Sequence, residues 1–157
     1  MIDLPESLTA TLELVADAAT ELQDPWWVFG GAAMALAGLE DHHVPDVDVM
    51  ASPRDARRLI AALDGVVTPD PGEGLFRSRV FGQILTTPVP IDIMAEMDVR
   101  SGGDWSPVRF DTRMPVALGD GDGAVFIPSI AEQIAVARQF GRPKDLQRAE
   151  MLEKLIR

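Results

Sequence analysis

The sequence contains no cysteine. That absence excludes a disulfide framework and any thiolate metal site. Basic residues are also scarce: 14 lysines and arginines stand against 25 aspartates and glutamates, a formal charge of -11. Proteins that grip an extended nucleic acid neutralise its phosphates with a basic surface, so extended DNA or RNA is not an expected partner. A nucleotide remains compatible, because a divalent cation can supply the positive charge that an acidic chain lacks. Long apolar runs are missing too, and none approaches the roughly 18 to 20 residues of a membrane span. The opening MIDLPESLTA has no basic region followed by an apolar core. The expectation is a soluble, cytoplasmic protein without a membrane partner.

At 157 residues and 46% hydrophobic content, the chain is long enough for one core and short for two. A single domain over 1–157 is expected, with C-terminal helices at about 129–157. Leu8, Leu12, Val15, Ala19 and Leu22 recur at steps of four and three, predicting an amphipathic helix over Ser7 to Leu22. Trp26 to Phe29 suits a buried strand, and Gly30-Gly31 turns it into a helix over Ala32 to Leu39. Asp46 to Met50 reads as a half-buried strand, and Ser52-Pro53 opens a helix to Leu63. Val66-Val67 reads as a short strand. Three further strands are predicted at Leu75 to Phe81, Gln83 to Thr87 and Val89 to Met94, with a turn at Gly82 and a loop over Asp98 to Trp105. Met114 to Leu118 and Ala124 to Ile127 flank GDGDG as a hairpin. Ser129 to Glu132 is a capping box opening a helix that stops at Gly141. Pro143 starts the last helix, with Leu146, Ala149, Leu152 and Leu155 or Ile156 toward the core. The fold class is α+β, a mixed β-sheet with helices packed mainly on one face.

Chemistry concentrates in Val28 to Met50, VFGGAAMALAGLEDHHVPDVDVM. Successive strand side chains point to opposite faces, so Asp46 and Asp48 share one face while Val47 and Val49 take the other. Asp92, between Ile91 and Ile93, obeys the same logic. If the two strands lie side by side in register, three carboxylates converge. Adjacent unpaired carboxylates repel, and a divalent cation resolves that repulsion. Oxygen donors of this kind suit Mg²⁺, which keeps waters and is completed by substrate phosphates. Gly30 and Gly31 would let a triphosphate approach the backbone closely. An Asp-x-Asp pair alone reads as the solvated face of an edge strand; the upstream Gly-Gly and the later Asp92 turn the balance toward a metal site.

Phe29-Gly30-Gly31 followed by Asp46-Val47-Asp48-Val49, with the later Asp92, resembles the signature of the nucleotidyltransferase superfamily typified by DNA polymerase beta. The Trp26-Trp27 lead-in and Gly-Gly-Ala context look closest to the small antibiotic nucleotidyltransferases and the abortive-infection-type toxins. Arg142-Pro143-Lys144-Asp145-Leu146 is similar to the Lys-Asp segment that opens a C-terminal helix in such proteins. The resemblance implies a minimal nucleotidyltransferase fold and transfer of a nucleoside monophosphate from a nucleoside triphosphate, ATP by expectation, to a hydroxyl acceptor. It implies Asp46, Asp48 and Asp92 as metal ligands and catalytic residues for two Mg²⁺ ions, with Gly30, Gly31 and Lys144 on the nucleotide. Two departures stand out: fourteen residues separate Gly31 from Asp46, and the separate C-terminal helical domain that holds the acceptor in larger members is not expected.

Other candidates have plainer readings beside functional ones. His42-His43 and Arg77 with Arg79 read as surface charge or as substrate contacts, and Glu96 as a loop charge or an extra ligand. Trp26 and Trp27 cannot both face the core, which leaves one to cover the N-terminal helix or a partner, including an oligomer interface. Two alternatives to the transferase stay open: a non-catalytic or regulatory member of the fold acting through a protein partner, of toxin-antitoxin type, and a metal-dependent phosphohydrolase.

Overall fold

A computed structural model describes residues 3–40, 42–119 and 121–156; Asp41 and, within GDGDG, Asp120 lie outside the described residues. The chain runs α1 (Glu6–Ala18, extended by a 3₁₀ turn to Glu21), β1 (Trp27–Phe29), α2 (Gly30–Leu36), β2 (Val47–Met50) and α3 (Pro53–Ala62). It continues through β3 (Phe76–Ile84), β4 (Ile91–Ser101), β5 (Asp104–Pro107), β6 (Met114–Ala117), β7 (Ala124–Ile127), α4 (Ile130–Phe140) and α5 (Pro143–Leu155).

The main sheet has the order β1-β2-β4-β3, with β5 added to the far half of β4. It is mixed: β2 and β4 are parallel, and the other pairs antiparallel. β6 and β7 form the predicted hairpin as a separate ribbon. One sheet face carries Val28, Val47, Val49, Ile91 and Ile93, packed with Leu8 and Leu12 of α1 and Leu59 and Ile60 of α3. The helices thus cover mainly one face, and the fold is α+β. A smaller apolar cluster on the other face joins Phe29, Phe81, Met94 and Met97 to Val136 of α4.

Local chemistry explains the helix ends. Ser52 Oγ accepts from Asp55 N–H at 3.3 Å, capping α3. The buried Asp55 carboxylate accepts from Gln23 and Asp24 N–H at 3.1 and 2.7 Å, tying the start of α3 to the segment after α1. Ser129 caps α4, and Gly141 ends it in the left-handed conformation.

Five expectations are corrected. Gly82 is not a turn: β3 runs through it, and a Cβ there would stand 2.6 Å from Ile60 Cδ1, so the glycine admits α3. The strand at Gln83 to Thr87 accordingly shrinks to the end of β3 at Ile84, and Val66-Val67 contributes only an isolated bridge from Val67 to Gly82. β4 extends through the predicted loop to Ser101 and turns at Gly102-Gly103 into β5. Its alternation is broken at Glu96, whose φ of 50° shifts Met97 and Val99 to the face opposite Ala95, hiding the strand from a period-two reading. Of the apolar residues expected to face the core from the last helix, only Ala149 and Leu152 are buried; Leu146, Leu155 and, just past its end, Ile156 are exposed.

Candidate active site

β1 and β2 pair antiparallel with Phe29 opposite Asp48, which returns the chain to the start of α2 despite the fourteen-residue gap. β2 and β4 pair in parallel with Asp48 opposite Asp92. Asp46 stands just before β2, on the same face as Asp48. One carboxylate oxygen from each of Asp46, Asp48 and Asp92 falls within 4.8 Å of the others, a separation that one or two cations could span. All three are half-buried, and none has a salt bridge among the described residues.

The electrostatics follow from this crowding. Burial, then the charges of Asp46 and Asp92, push the Asp48 carboxyl well above its ordinary value of 3.8, while Arg148 and Arg142 act in the opposite sense. Asp92 is raised chiefly by burial, against a hydrogen bond that Gln83 Nε2 donates to its Oδ1 at 3.0 Å. A divalent cation is the partner that such a carboxylate set fits, since it removes the repulsion and satisfies oxygens left without donors.

Gly30 joins the two halves of the motif. Its φ is 66°, and a Cβ there would lie 2.7 Å from Asp48 Oδ2. The missing side chain therefore makes room for the carboxylate itself. α2 begins at Gly30, two residues before the predicted start, so both glycines form its first turn. A Cβ on Gly31 would meet His42 Nε2 at 3.2 Å.

The carboxylates lie at one end of a cleft with a cavity of about 310 Å³, lined also by Gly30, Gly31 and Lys144. The structure thus brings all six predicted site residues to one cavity. Arg148 lines it too, one turn beyond Lys144. The i, i+4 spacing of the two cations is present in the sequence, but only the packing of α5 shows that Arg148 shares the cleft. Arg142 faces the same cleft while Asp145, buried, accepts from its Nη2 at 3.0 Å and from its N–H at 3.2 Å. His42 is drawn in as well: its Nε2 is buried without a hydrogen-bond partner, and burial, then Arg148, lowers its pKa. No local pattern marks His42; only the closure of the loop onto Gly31 does. Much of the remaining wall is apolar, with Phe76, Phe81, Met94, Met97, Val136 and Phe140 in it, and Asp70 and Gln133 add polar groups.

The remaining candidates lie elsewhere. Arg77 pairs with Asp98 at 2.9 Å and stacks on Trp105 at 4.3 Å. Arg79 pairs with Glu96 at 2.9 Å, so Glu96 is neither a loop charge nor a member of the carboxylate cluster. Trp26 is buried edge-on against Phe126, and Trp27 donates from Nε1 to the Thr112 carbonyl at 2.8 Å, so both have partners within the chain.

No protein-family model and no curated protein matches the sequence. Solved structures do match. A Thermotoga maritima protein provisionally described as a nucleotidyltransferase superposes with a TM-score of 0.67 at 19% identity, over 93% of this chain and 90% of that one. The lincosamide antibiotic adenylyltransferase LnuA, solved with lincomycin bound, gives 0.61 at 14% identity, over 98% and 99% of the two chains. ANT(2'')-Ia, solved with adenylyl-2''-tobramycin, gives 0.56 at 17% identity, over 97% and 94%. At these identities the likeness is one of architecture, and the chain has a nucleotidyltransferase fold of the DNA polymerase beta type.

Proposed function

We propose that the protein is a Mg²⁺-dependent nucleotidyltransferase that moves a nucleoside monophosphate from a nucleoside triphosphate, ATP in the first instance, onto a hydroxyl of a small molecule. The observation that carries this reading is the meeting of Asp46, Asp48 and Asp92 within 4.8 Å beside Gly30, inside a cleft with cationic and apolar walls. Asp46, Asp48 and Asp92 would hold Mg²⁺, which, when bound, neutralises phosphate charge and supports in-line displacement.

The chain's own residues divide the remaining work. Gly31, Lys144 and Arg148 bind the polyphosphate, the two cations balancing its charge along one face of α5. Gln83 holds Asp92 by one oxygen and leaves the other toward the cleft. Asp92 orients the acceptor hydroxyl and receives its proton. The acceptor oxygen forms a bond to the α-phosphorus as the bond from that phosphorus to the bridging oxygen breaks, and pyrophosphate leaves with the electron pair. Apolar side chains around the cleft exclude water that would compete as acceptor.

The test follows α-labelled ATP with Mg²⁺ across a panel of hydroxyl acceptors. Label should move to an acceptor with stoichiometric pyrophosphate, and Asp48→Ala should be silent while retaining the wild-type circular dichroism spectrum. Release of free phosphate or nucleoside monophosphate without an acceptor would contradict the reading in favour of a hydrolase.

A further inference from the structure

We infer that the acceptor is a hydroxyl compound with an uncharged aromatic or alicyclic body, bound at the β3–β4 end of the cleft, and is not a polycationic sugar. The inference rests on the nucleotidyltransferase reading above and adds the acceptor's chemistry to it.

The order of strands sets the two sides. Gly30 and Gly31 follow β1 at one flank of the sheet, Asp48 and Asp92 occupy its middle, and Gln83 and Phe81 stand on β3 at the other flank. Arg148 acts electrostatically on both His42 and Asp48, and His42 lies against Gly31. The anionic polyphosphate therefore has its complementary groups on the β1–β2 flank. In-line displacement puts the attacking oxygen opposite the leaving pyrophosphate, which directs the acceptor to the β3–β4 flank beyond Asp92.

That flank is largely apolar, with the Arg142 guanidinium over the Phe76 and Phe140 rings at 5.2 and 5.9 Å. Phe81 and Met94 are directly paired across β3 and β4, and Met97 and Val136 continue the buried surface. Phe76 and Phe140 meet edge to face at 5.0 Å, walling its far end. Two thioethers among aromatic rings make a surface that adapts to flat or cyclic apolar groups. Charge argues in the same direction. Outside the three clustered aspartates, the cleft is lined by two carboxylates, Asp70 and Asp145, and Asp145 is engaged by Arg142. Arg142, Lys144 and Arg148 face the same space. With the Arg142–Asp145 pair discounted, a polycation would meet two positive side chains, Lys144 and Arg148, and one carboxylate, Asp70, whereas an uncharged body would meet a matching wall.

The experiment uses full-length protein carrying ¹³C-methyl methionine, with the Met94 and Met97 signals assigned through Met94→Leu and Met97→Leu. Mg²⁺ and α,β-methylene-ATP, which cannot undergo transfer, are added first, then benzyl alcohol, 2-phenylethanol or cyclohexylmethanol, and separately tobramycin. The expected result is saturable movement of the Met94 and Met97 signals by the alcohols with nucleotide in place, and none by tobramycin. Movement of these two signals by nucleotide alone, with loss of the alcohol response, would assign the apolar end to the base and overturn the inference. So would a response to tobramycin, or no response to any of the alcohols. Failure of the nucleotide itself to bind, read by calorimetry in the same samples, would instead strike the nucleotidyltransferase reading.

Discussion

The two ends of the cleft are built by opposite means. The carboxylate end comes from consecutive turns of chain: β1, the Gly30 turn, β2, and the one strand that pairs with β2 in parallel. The opposite end is assembled from β3, β4 and α4, which share no motif. The first end crowds like charges that cost stability, and the second buries apolar surface that supplies it. The proposed chemistry would thus be concentrated where the fold is least comfortable, and the wall that would decide the acceptor doubles as core.

Changes at the two ends should therefore behave differently. The largest effect is expected from Asp92→Asn, which should lower transfer on the order of 10³-fold with little change in thermal stability, measured by pyrophosphate release and calorimetry. Gly30→Ala should damage both properties, because the added Cβ meets Asp48 and the φ of 66° disfavours any side chain. A loss of roughly 1–3 kcal/mol in urea unfolding is expected, together with weaker Mn²⁺ binding followed by electron paramagnetic resonance.

Asp48→Asn should separate stability from activity. The Asp48 pKa is raised in the fold, so in metal-free protein its contribution favours folding below the ordinary value of 3.8 and is lost as pH rises through the raised value. At pH 7 the amide should hence stabilise the metal-free protein by about 1 kcal/mol, or about 2–4 °C in Tm. That gain should disappear as pH falls toward the ordinary carboxylate range, and the variant should remain inactive. Arg148→Ala should raise the KM for ATP roughly 10-fold with the fold unchanged, the loss expected for one charged contact to phosphate. Arg77→Ala, outside the cleft, should leave transfer unchanged and shift stability by less than about 1 kcal/mol.

The same contrast explains what could be read from the chain. The carboxylate end was legible because strand alternation alone puts Asp46 and Asp48 on one face, and the apolar flanks of Asp92 do the same for it. Their meeting needed only a register, which β2 and β4 supply with Asp48 opposite Asp92. The other end was not legible. Glu96 breaks the alternation of β4, and Gly82 imitates a turn while serving as a landing site for Ile60; even at the carboxylate end, His42 gains its place against Gly31 through a loop closure that no local pattern records. α5 was recognised, but its inward face was read one residue set too broad, since Leu146 and Leu155 point to solvent while Lys144 and Arg148 face the cleft.

The central claim is that Asp46, Asp48 and Asp92 form one cation site on which nucleotide binding depends. The direct test is calorimetric titration of wild-type protein and Asp48→Ala with ATP, each with and without Mg²⁺. Binding to the wild type only when Mg²⁺ is present, and loss of that binding in the variant, is the predicted result. Equal ATP affinity in the variant, or binding indifferent to the cation, would contradict it.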